Sequence, residues 1–174
     1  MRPQVRRNLA LSGLAVALVG TACTADRIER GVFHSSKGYA VSLPGREWQV
    51  ASATAADLEL HRAAPTAGML ADATCAGRVP SQPAPLLVRH LTFGVKNRKD
   101  VRTEEVVVKG LPGARTTLRG TLDGGEVAVD AVTLKGDRCV YDFLYVAPVD
   151  QFEAGRPEFQ AFVESLAVEP AGRR

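Results

Sequence analysis

The chain has 174 residues and a formal net charge of +3, from 22 basic and 19 acidic residues. Three arginines lie in the first seven residues, so the remainder carries 19 basic and 19 acidic residues and no net charge. This balance, without long Lys/Arg runs, argues against nucleic-acid binding and against purely electrostatic attachment to a membrane. The length fits one ordinary domain.

The first 23 residues have the pattern of a secretion signal. Arg2, Arg6 and Arg7 form its basic region, residues 9–19 form an apolar run, and small residues precede Cys23. The apolar run is too short to span a bilayer comfortably. We predict a lipoprotein signal peptide over residues 1–22 and a lipidated Cys23, carrying fatty acyl chains such as palmitate.

Ordinary signal cleavage near Ala22 is the alternative, because Gly20 occupies a position where lipoprotein signals usually have an aliphatic residue. Thr24, which follows Cys23 in place of aspartate, favours the outer membrane, facing the periplasm, if the cell is Gram-negative. Residues 23–31 are short and polar, and we predict that they form a lipidated tether. Eight extended residues reach at most about 28 Å, which would keep the domain near the bilayer.

Two cysteines remain after Cys23. Because exported proteins meet an oxidising compartment, we predict a disulfide between Cys75 and Cys139. Its loop of about 65 residues corresponds to roughly 4 kcal/mol of stabilisation in the chain-entropy description. Two separate buried thiols are the alternative. The sequence has no CxxC or HxxxH pattern, so we predict no metal site.

Residues 32–75 alternate with the two-residue period of strands. Tyr39, Val41 and Leu43 share one face of a first strand, which Pro44 ends. Three more strands are predicted: one with Trp48 and Val50, one with Leu58 and Leu60, and one that ends at Cys75. Four strands before any helix indicate a largely antiparallel sheet.

Apolar residues first show helical spacing at residues 86–93, where Leu86, His90 and Phe93 share one side. We predict a short helix with His90 as a hydrogen-bonded core residue. Further strands are predicted at residues 103–109, 115–122, 126–135 and 138–147. The Asp-Gly-Gly sequence at 123–125 is the strongest hairpin signal among them.

The last predicted element is a helix with Pro157 in its first turn. Its apolar stripe has the spacing i, i+3, i+4, i+7 and consists of Phe159, Phe162, Val163 and Leu166. Residues 169–174 lose this pattern and are predicted to form a flexible tail. The single domain therefore spans residues 32–168.

The sequence contains no GxSxG, P-loop, GxGxxG or SxxK motif, so we predict no catalytic residue and no cofactor. Asp57 and Glu59 are predicted on a solvated strand face. Arg115 and Arg119 share one face of a strand and could grip an anionic ligand or the acidic patch of a partner. Asp142 lies in an otherwise apolar strand, so it needs a partner there, either a structural donor or a ligand in a cleft.

The order of elements resembles the PsbP/Mog1-like fold over residues 32–168. The resemblance rests on the order of a few features. These are Gly38-Tyr39 before a strand ended by Pro44, then Trp48, a central helix, hairpins, and a closing helix with Phe159, Phe162, Ser165 and Leu166. It implies an α+β fold with a mainly antiparallel twisted sheet flanked by helices. Its members share a scaffold and not a chemistry.

We therefore expect a non-enzymatic binding or assembly module of the cell envelope. Its membrane attachment would be the N-terminal lipid, and its partner another envelope protein. Two alternatives remain open at this point. One is a carrier or accessory subunit for a small apolar ligand or lipid, and the other is a small hydrolase.

Overall fold

A computed structural model describes residues 25–52, 55–75 and 81–169. The predicted signal peptide, Cys23 and residues 170–174 of the predicted tail lie outside the described residues. No helix in the described ranges is both long and apolar enough to cross a membrane.

The described part contains two antiparallel sheets and two helices. In chain order the elements are β1 (Arg27–Glu29), β2 (Val32–Ser35), β3 (Tyr39–Ser42), β4 (Gln49–Val50), β5 (Leu58–Ala63), β6 (Thr66–Thr74), α1 (Ala84–His90), β7 (Lys96–Val108), β8 (Leu111–Leu122), β9 (Gly125–Lys135), β10 (Val140–Pro148), α2 (Phe152–Glu164) and β11 (Ala167–Val168). The large sheet has the order β4-β5-β6-β10-β9-β8-β7, and the small one β1-β2-β3-β11. The predicted α+β class with a mainly antiparallel sheet is confirmed.

Tight hairpins set the register of the long strands. Asp123 and Gly124 join β8 to β9 with φ values of 49° and 85°. Lys109 and Gly110 join β7 to β8 with 51° and 81°. Positive φ at both central residues is the signature of the type I′ turn, whose twist matches that of the strands. The strand predicted at residues 115–122 therefore starts earlier, because a two-residue turn lets β8 begin at Leu111.

The closing helix covers one face of the large sheet. Its predicted stripe of Phe159, Phe162, Val163 and Leu166 is buried, which confirms that prediction. Phe162 meets Phe143 of β10 edge-on, with ring centroids 5.7 Å apart. The start of the helix was predicted wrongly, since α2 begins at Phe152 and Pro157 lies inside it.

Tyr145 of β10 explains this earlier start. Its ring stacks on Phe152 at 5.2 Å and on Phe159 at 5.7 Å, and its hydroxyl donates a hydrogen bond to the carbonyl of Phe152. These contacts hold the first turn of α2 against the sheet. The helix can therefore form around Pro157 although proline removes one backbone donor.

The central helix was predicted with the wrong face inward. Ala84 and Val88 pack on the sheet, whereas His90 is exposed and Phe93 is 66% exposed. The His90 and Phe93 rings lie 4.9 Å apart outside the core. The helix ends at His90, so its contact with the sheet is one short face of small residues, and residues 91–93 are no longer helical.

The predicted tether needs a correction as well. Residues 27–29 form β1, which pairs with β2 and places Ile28 opposite Phe33. A three-residue exposed strand leaves no periodic signal in the sequence. The segment between Cys23 and β1 is only three residues, which can extend about 10 Å. At the other end, Glu169 of the predicted tail donates its backbone N–H to the carbonyl of Gly38.

A disulfide joins the end of β6 to the start of β10. The Sγ atoms of Cys75 and Cys139 are 2.07 Å apart, and their Cα atoms 4.2 Å apart. Thr74 and Val140, the neighbouring residues, are a cross-strand pair. The bridge therefore links two strands that already lie side by side in the sheet.

Candidate functional site

The structure places the three predicted contact residues on opposite faces of the large sheet. Arg115 pairs with Val132 of β9 and Arg119 with Ala128, on the face that α2 covers. Asp142 pairs with Thr133, and Thr133 with Ala114, so Asp142 belongs to the face of α1. The sheet therefore separates Asp142 from the two arginines, and the three residues do not form one site.

Asp142 has a structural partner. Its Oδ1 accepts a hydrogen bond of 2.5 Å from the hydroxyl of Thr133. Burial raises the pKa of Asp142, the Thr133 hydrogen bond acts in the opposite direction, and the charge of Asp72 raises it further. Asp72 is the residue directly opposite on β6. The two carboxylates therefore repel each other across the strands.

Asp57 and Glu59 do not share a solvated face as predicted. Asp57 precedes β5, and its carboxylate is largely buried, with a side-chain exposure of 10%. It accepts hydrogen bonds from the Tyr39 hydroxyl at 2.9 Å and the Ala73 N–H at 3.0 Å, and it pairs with Lys37 at 2.6 Å. Burial, followed by the charge of Asp57, raises the pKa of Tyr39. Asp57 is thus a link between the two sheets.

On the α2 face, Arg115 is held by an acid that the sequence analysis did not single out. Asp130 of β9 is completely buried. The Nε of Arg115 donates to its Oδ1 at 2.7 Å, and Nη2 donates to Oδ2. Arg156 of α2 brings its Nε to 3.6 Å from Oδ2. The hydrogen bond to Asp130 raises the pKa of Arg115.

Asp130 could have been found by the argument that was applied to Asp142. It is a lone carboxylate in the apolar run Val127-Ala128-Val129-Asp130-Ala131-Val132. A buried carboxylate needs paired donors. Its partner Arg115 lies on the adjacent strand, which the hairpin at 123–124 makes its direct neighbour. What the sequence does not indicate is the second arginine, Arg156, which reaches Asp130 only because α2 packs across this strand.

Beside this ion pair lies an open groove of about 340 Å³. Three arginines from three elements line it: Arg102 from β7, Arg119 from β8 and Arg156 from α2. Its apolar lining includes Ala128, Val149 and Phe152. We call this the arginine groove.

The charges around the arginine groove are only partly compensated. Its lining contains two acids, Asp100 and Glu153, and Glu153 lies 3.5 Å from Arg156. Neither Arg102 nor Arg119 forms an ion pair with any residue in the described ranges. Lys99 is directly opposite Arg119. Like charges directly opposite across strands are destabilising, so an anion bound there would relieve a repulsion present in the free protein.

A second depression lies between β7 and α2, on the other side of Arg115. Its volume is about 180 Å³, and its lining is mainly apolar: Val106, Val107, Val108, Val132, Phe159 and Val163. Pockets for drug-sized ligands have about 300–1,000 Å³. This pocket is therefore small for a lipid or other extended apolar ligand.

The three histidines lie on separate elements. His34 is on β2, His61 on β5 and His90 at the end of α1. In the described ranges no hydrogen bond joins a histidine ring to a serine, a cysteine or a carboxylate. Nor do His, Cys, Asp and Glu side chains there form a group of three or more able to hold a metal ion.

Comparison with solved structures identifies the fold of this chain. The cyanobacterial PsbP protein of Synechocystis superposes with a TM-score of 0.55 at 11% identity, over 88% of this chain and 97% of that one. The chain has the PsbP-like fold. No protein-family model and no curated protein matches it by sequence.

Two further solved structures are similar to this chain in fold. LpqN of Mycobacterium tuberculosis, described as involved in cell envelope biogenesis, has a TM-score of 0.56 at 12% identity, covering 76% of this chain and 86% of that one. A protein of Bacteroides thetaiotaomicron has a TM-score of 0.59 at 9% identity over 86% of this chain. This chain spans only half the length of the Bacteroides protein. At such low identities the likeness establishes the fold.

Proposed function

We propose that this protein is a lipid-anchored, non-enzymatic binding module of the cell envelope, whose arginine groove holds an acidic segment of a partner protein. The observation that carries the proposal is the convergence of Arg102, Arg119 and Arg156 on one open groove. Arginine suits this role because its planar guanidinium binds carboxylates at two points. The apolar lining would contact the aliphatic parts of the bound segment.

The buried ion pair supports this role of the groove. Arg115 and Asp130 lie directly beside it, and Asp130 also holds Arg156 at its border. A fixed guanidinium loses less conformational entropy on binding than a free one. Asp130 would therefore act as a positioning residue for Arg156.

The proposed location in the cell envelope rests on the N-terminal sequence and on one structural likeness. Cys23 follows an apolar run and small residues, and LpqN, which shares the fold, is described as an envelope-biogenesis protein. With only three residues between Cys23 and β1, the domain would stay close to the membrane surface. It would then meet partners that also lie at that surface.

The alternative of an apolar carrier has less support. The mainly apolar pocket between β7 and α2 has about 180 Å³, whereas the arginine groove has about 340 Å³ and carries three arginines. The three arginines of the arginine groove favour an acidic ligand over a purely apolar one at this site.

A peptide-binding experiment tests the groove. A fluorescent hexaglutamate peptide should bind the wild-type protein, and binding should weaken as salt is added. The variant Arg102→Glu/Arg119→Glu should lose at least about tenfold in affinity, since two charge-assisted contacts become repulsive. A hexalysine peptide serves as the control ligand.

The matched control variant is Arg89→Glu/Arg138→Glu, which makes the same charge change at exposed positions outside the groove. It should bind hexaglutamate almost as the wild type does. Equal losses in the two variants would show attraction by overall charge alone, and the groove would not be the binding site.

The anchor has a separate test. Full-length protein expressed in a bacterium should be recovered in the membrane fraction with a diacylglyceryl-modified Cys23 at its N-terminus. Cys23→Ser should give unprocessed or soluble protein. Mass spectrometry that finds an unmodified N-terminus at another residue of the wild-type protein would contradict the anchor.

A further inference from the structure

We propose that β7 pairs with β7 of a second copy of this chain, as an antiparallel two-fold pair centred on Val107. This inference is independent of the arginine groove and of the lipid anchor. It rests on the free edge of the large sheet, on the direction of its peptide groups and on the sequence along it.

The outer side of β7 has no partner strand in the described ranges, because β7 ends the order of the large sheet. Val107 is 72% exposed there, the highest value among the exposed large apolar residues of the described chain. A free edge presents unpaired N–H and C=O groups that can template pairing with another strand.

Natural edges are usually protected by charges and bulges. The first half of β7 has both: Lys96, Arg98 and Lys99 are charged, and the register with β8 shifts between Lys96 and Arg102. The second half has regular pairing from Arg102 to Val108 and ends in three valines. The second half therefore lacks the bulges, and its last three residues carry no charge.

The hairpin fixes which residues of β7 can donate outward. Val108 and Leu111 flank the two-residue turn, and in such a turn these flanking residues are joined by hydrogen bonds. Peptide groups alternate in direction along a strand. Val108, Val106 and Glu104 therefore direct theirs to β8, whereas Val107 and Glu105 direct theirs outward.

A two-fold pair can be centred on an outward-directed residue, as a hydrogen-bonded pair, or on an inward-directed one, as a non-hydrogen-bonded pair. The inward-directed centres match poorly: a centre on Val106 places Val107 opposite Glu105 of the second copy, one on Val108 places Val107 opposite Lys109, and one on Glu104 places two glutamates opposite each other. A pair centred on Glu105 would place two glutamates opposite each other, which is unfavourable. Pairs centred on Thr103 or Val101 would extend into the irregular half at residues 96–100. Val107 is the remaining centre.

The centre at Val107 gives a complementary set of contacts. Val107 meets Val107 of the second copy, and Val106 meets Val108 of the second copy on the other face. Glu105 lies opposite Lys109 of the second copy, and by symmetry this ion pair occurs twice. Apolar and opposite-charge cross-strand pairs both stabilise a sheet.

The surroundings of Val107 extend this apolar surface. Pro83, Pro85 and Pro112 line a groove of about 350 Å³ together with Val107. A second copy seated on the strand would cover part of it. Arg102 is five residues from the centre, or about 17 Å along the strand, so the arginine grooves of both copies would remain open.

Cysteine cross-linking in the full-length chain, expressed in a bacterial envelope, tests the pairing. In the proposed pair the two copies of residue 107 are hydrogen-bonded neighbours, about 5.5 Å apart at Cα, within the range that a disulfide spans. Val107→Cys should give a disulfide-linked dimer on a non-reducing gel. Val101→Cys, an exposed position on the same strand, is the matched control and should give several-fold less dimer.

A charge exchange provides the second arm. In the Val107→Cys background, Glu105→Lys should reduce the dimer several-fold, because the introduced lysine would face Lys109 of the second copy. Adding Lys109→Glu should restore it, since the ion pair is then reversed and not removed. Equal cross-linking of the two cysteine variants, no dimer at all, or an adduct with a different protein would each overturn the proposal.

Discussion

Arg115 and Asp130 form a two-point ion pair whose acid is completely buried, and Arg156 adds a second guanidinium at 3.6 Å. The pair joins β8 to β9, and Arg156 extends it to α2 beside the arginine groove. It thus links the stability of the domain to the geometry of its proposed binding surface.

Removing the charge of Asp130 should therefore be costly. Asp130→Asn leaves two guanidinium groups near a buried neutral side chain, and breaking such a pair typically costs about 3–5 kcal/mol of unfolding free energy. Urea denaturation measures the loss. The double variant Arg115→Met/Asp130→Leu should recover much of it, because a buried ion pair can often be replaced by apolar side chains.

The control for this prediction is Glu153→Gln. Its carboxylate also faces Arg156, at 3.5 Å, but it is 75% exposed, so its loss should stay within about 1 kcal/mol. Similar losses in Asp130→Asn and Glu153→Gln would contradict a special role for the buried acid.

Asp142 should make the stability of the domain depend on pH. Burial raises its pKa in the folded protein above the ordinary value of 3.8, so the folded state holds this proton more tightly than the unfolded state does. Ionisation then disfavours the folded state, and the wild-type protein loses stability from this group as pH rises from 3.8 through the raised pKa.

Asp142→Asn removes this contribution while its amide oxygen can still accept the hydrogen bond from Thr133. The unfolding free energy of the variant relative to wild type should therefore be higher at about pH 7 than at about pH 3, with the change occurring above pH 3.8. Urea denaturation across this range is the measurement, with exposed Asp150→Asn as the control. A difference that stays constant with pH would contradict the prediction.

Gly155 allows α2 to approach β10 closely. A Cβ built at this position would collide with the hydroxyl oxygen of Tyr145 and would lie 3.0 Å from Nη2 of Arg62. Tyr145 cannot move easily, since its ring is stacked between Phe152 and Phe159. Gly155→Ala should cost about 1–3 kcal/mol through overpacking, although alanine is the better helix former by about 1 kcal/mol.

Thermal denaturation checks this, with Gly94→Ala as the control. A Cβ at Gly94 meets only the Leu122 side chain, at an ordinary 3.8 Å. An increase in midpoint for Gly155→Ala would show that helix propensity outweighs the collision.

Local sequence patterns were sufficient to predict the largely antiparallel sheet, the hairpin at 123–124 and the buried stripe of α2. These features depend on local causes, namely alternation with period two, positive φ at an Asp-Gly pair, and apolar spacing over several turns. Each signal extends over many residues or occurs at a turn with one strong solution, so it could be recognised without the rest of the chain.

The orientation of α1, the start of α2 and the partners of the charged residues depend instead on tertiary contacts. Apolar Leu86 and Phe93 face outward because the sheet offers α1 only a small contact, while Tyr145 draws Phe152 into the helix. Among the described residues Arg115 has an acidic partner and Arg119 has none, although the two share one strand face. The reason is that the buried acid lies on β9 beside Arg115, where Arg156 of α2 also reaches it. Such contacts join residues far apart in sequence, and local pattern carries no information about them.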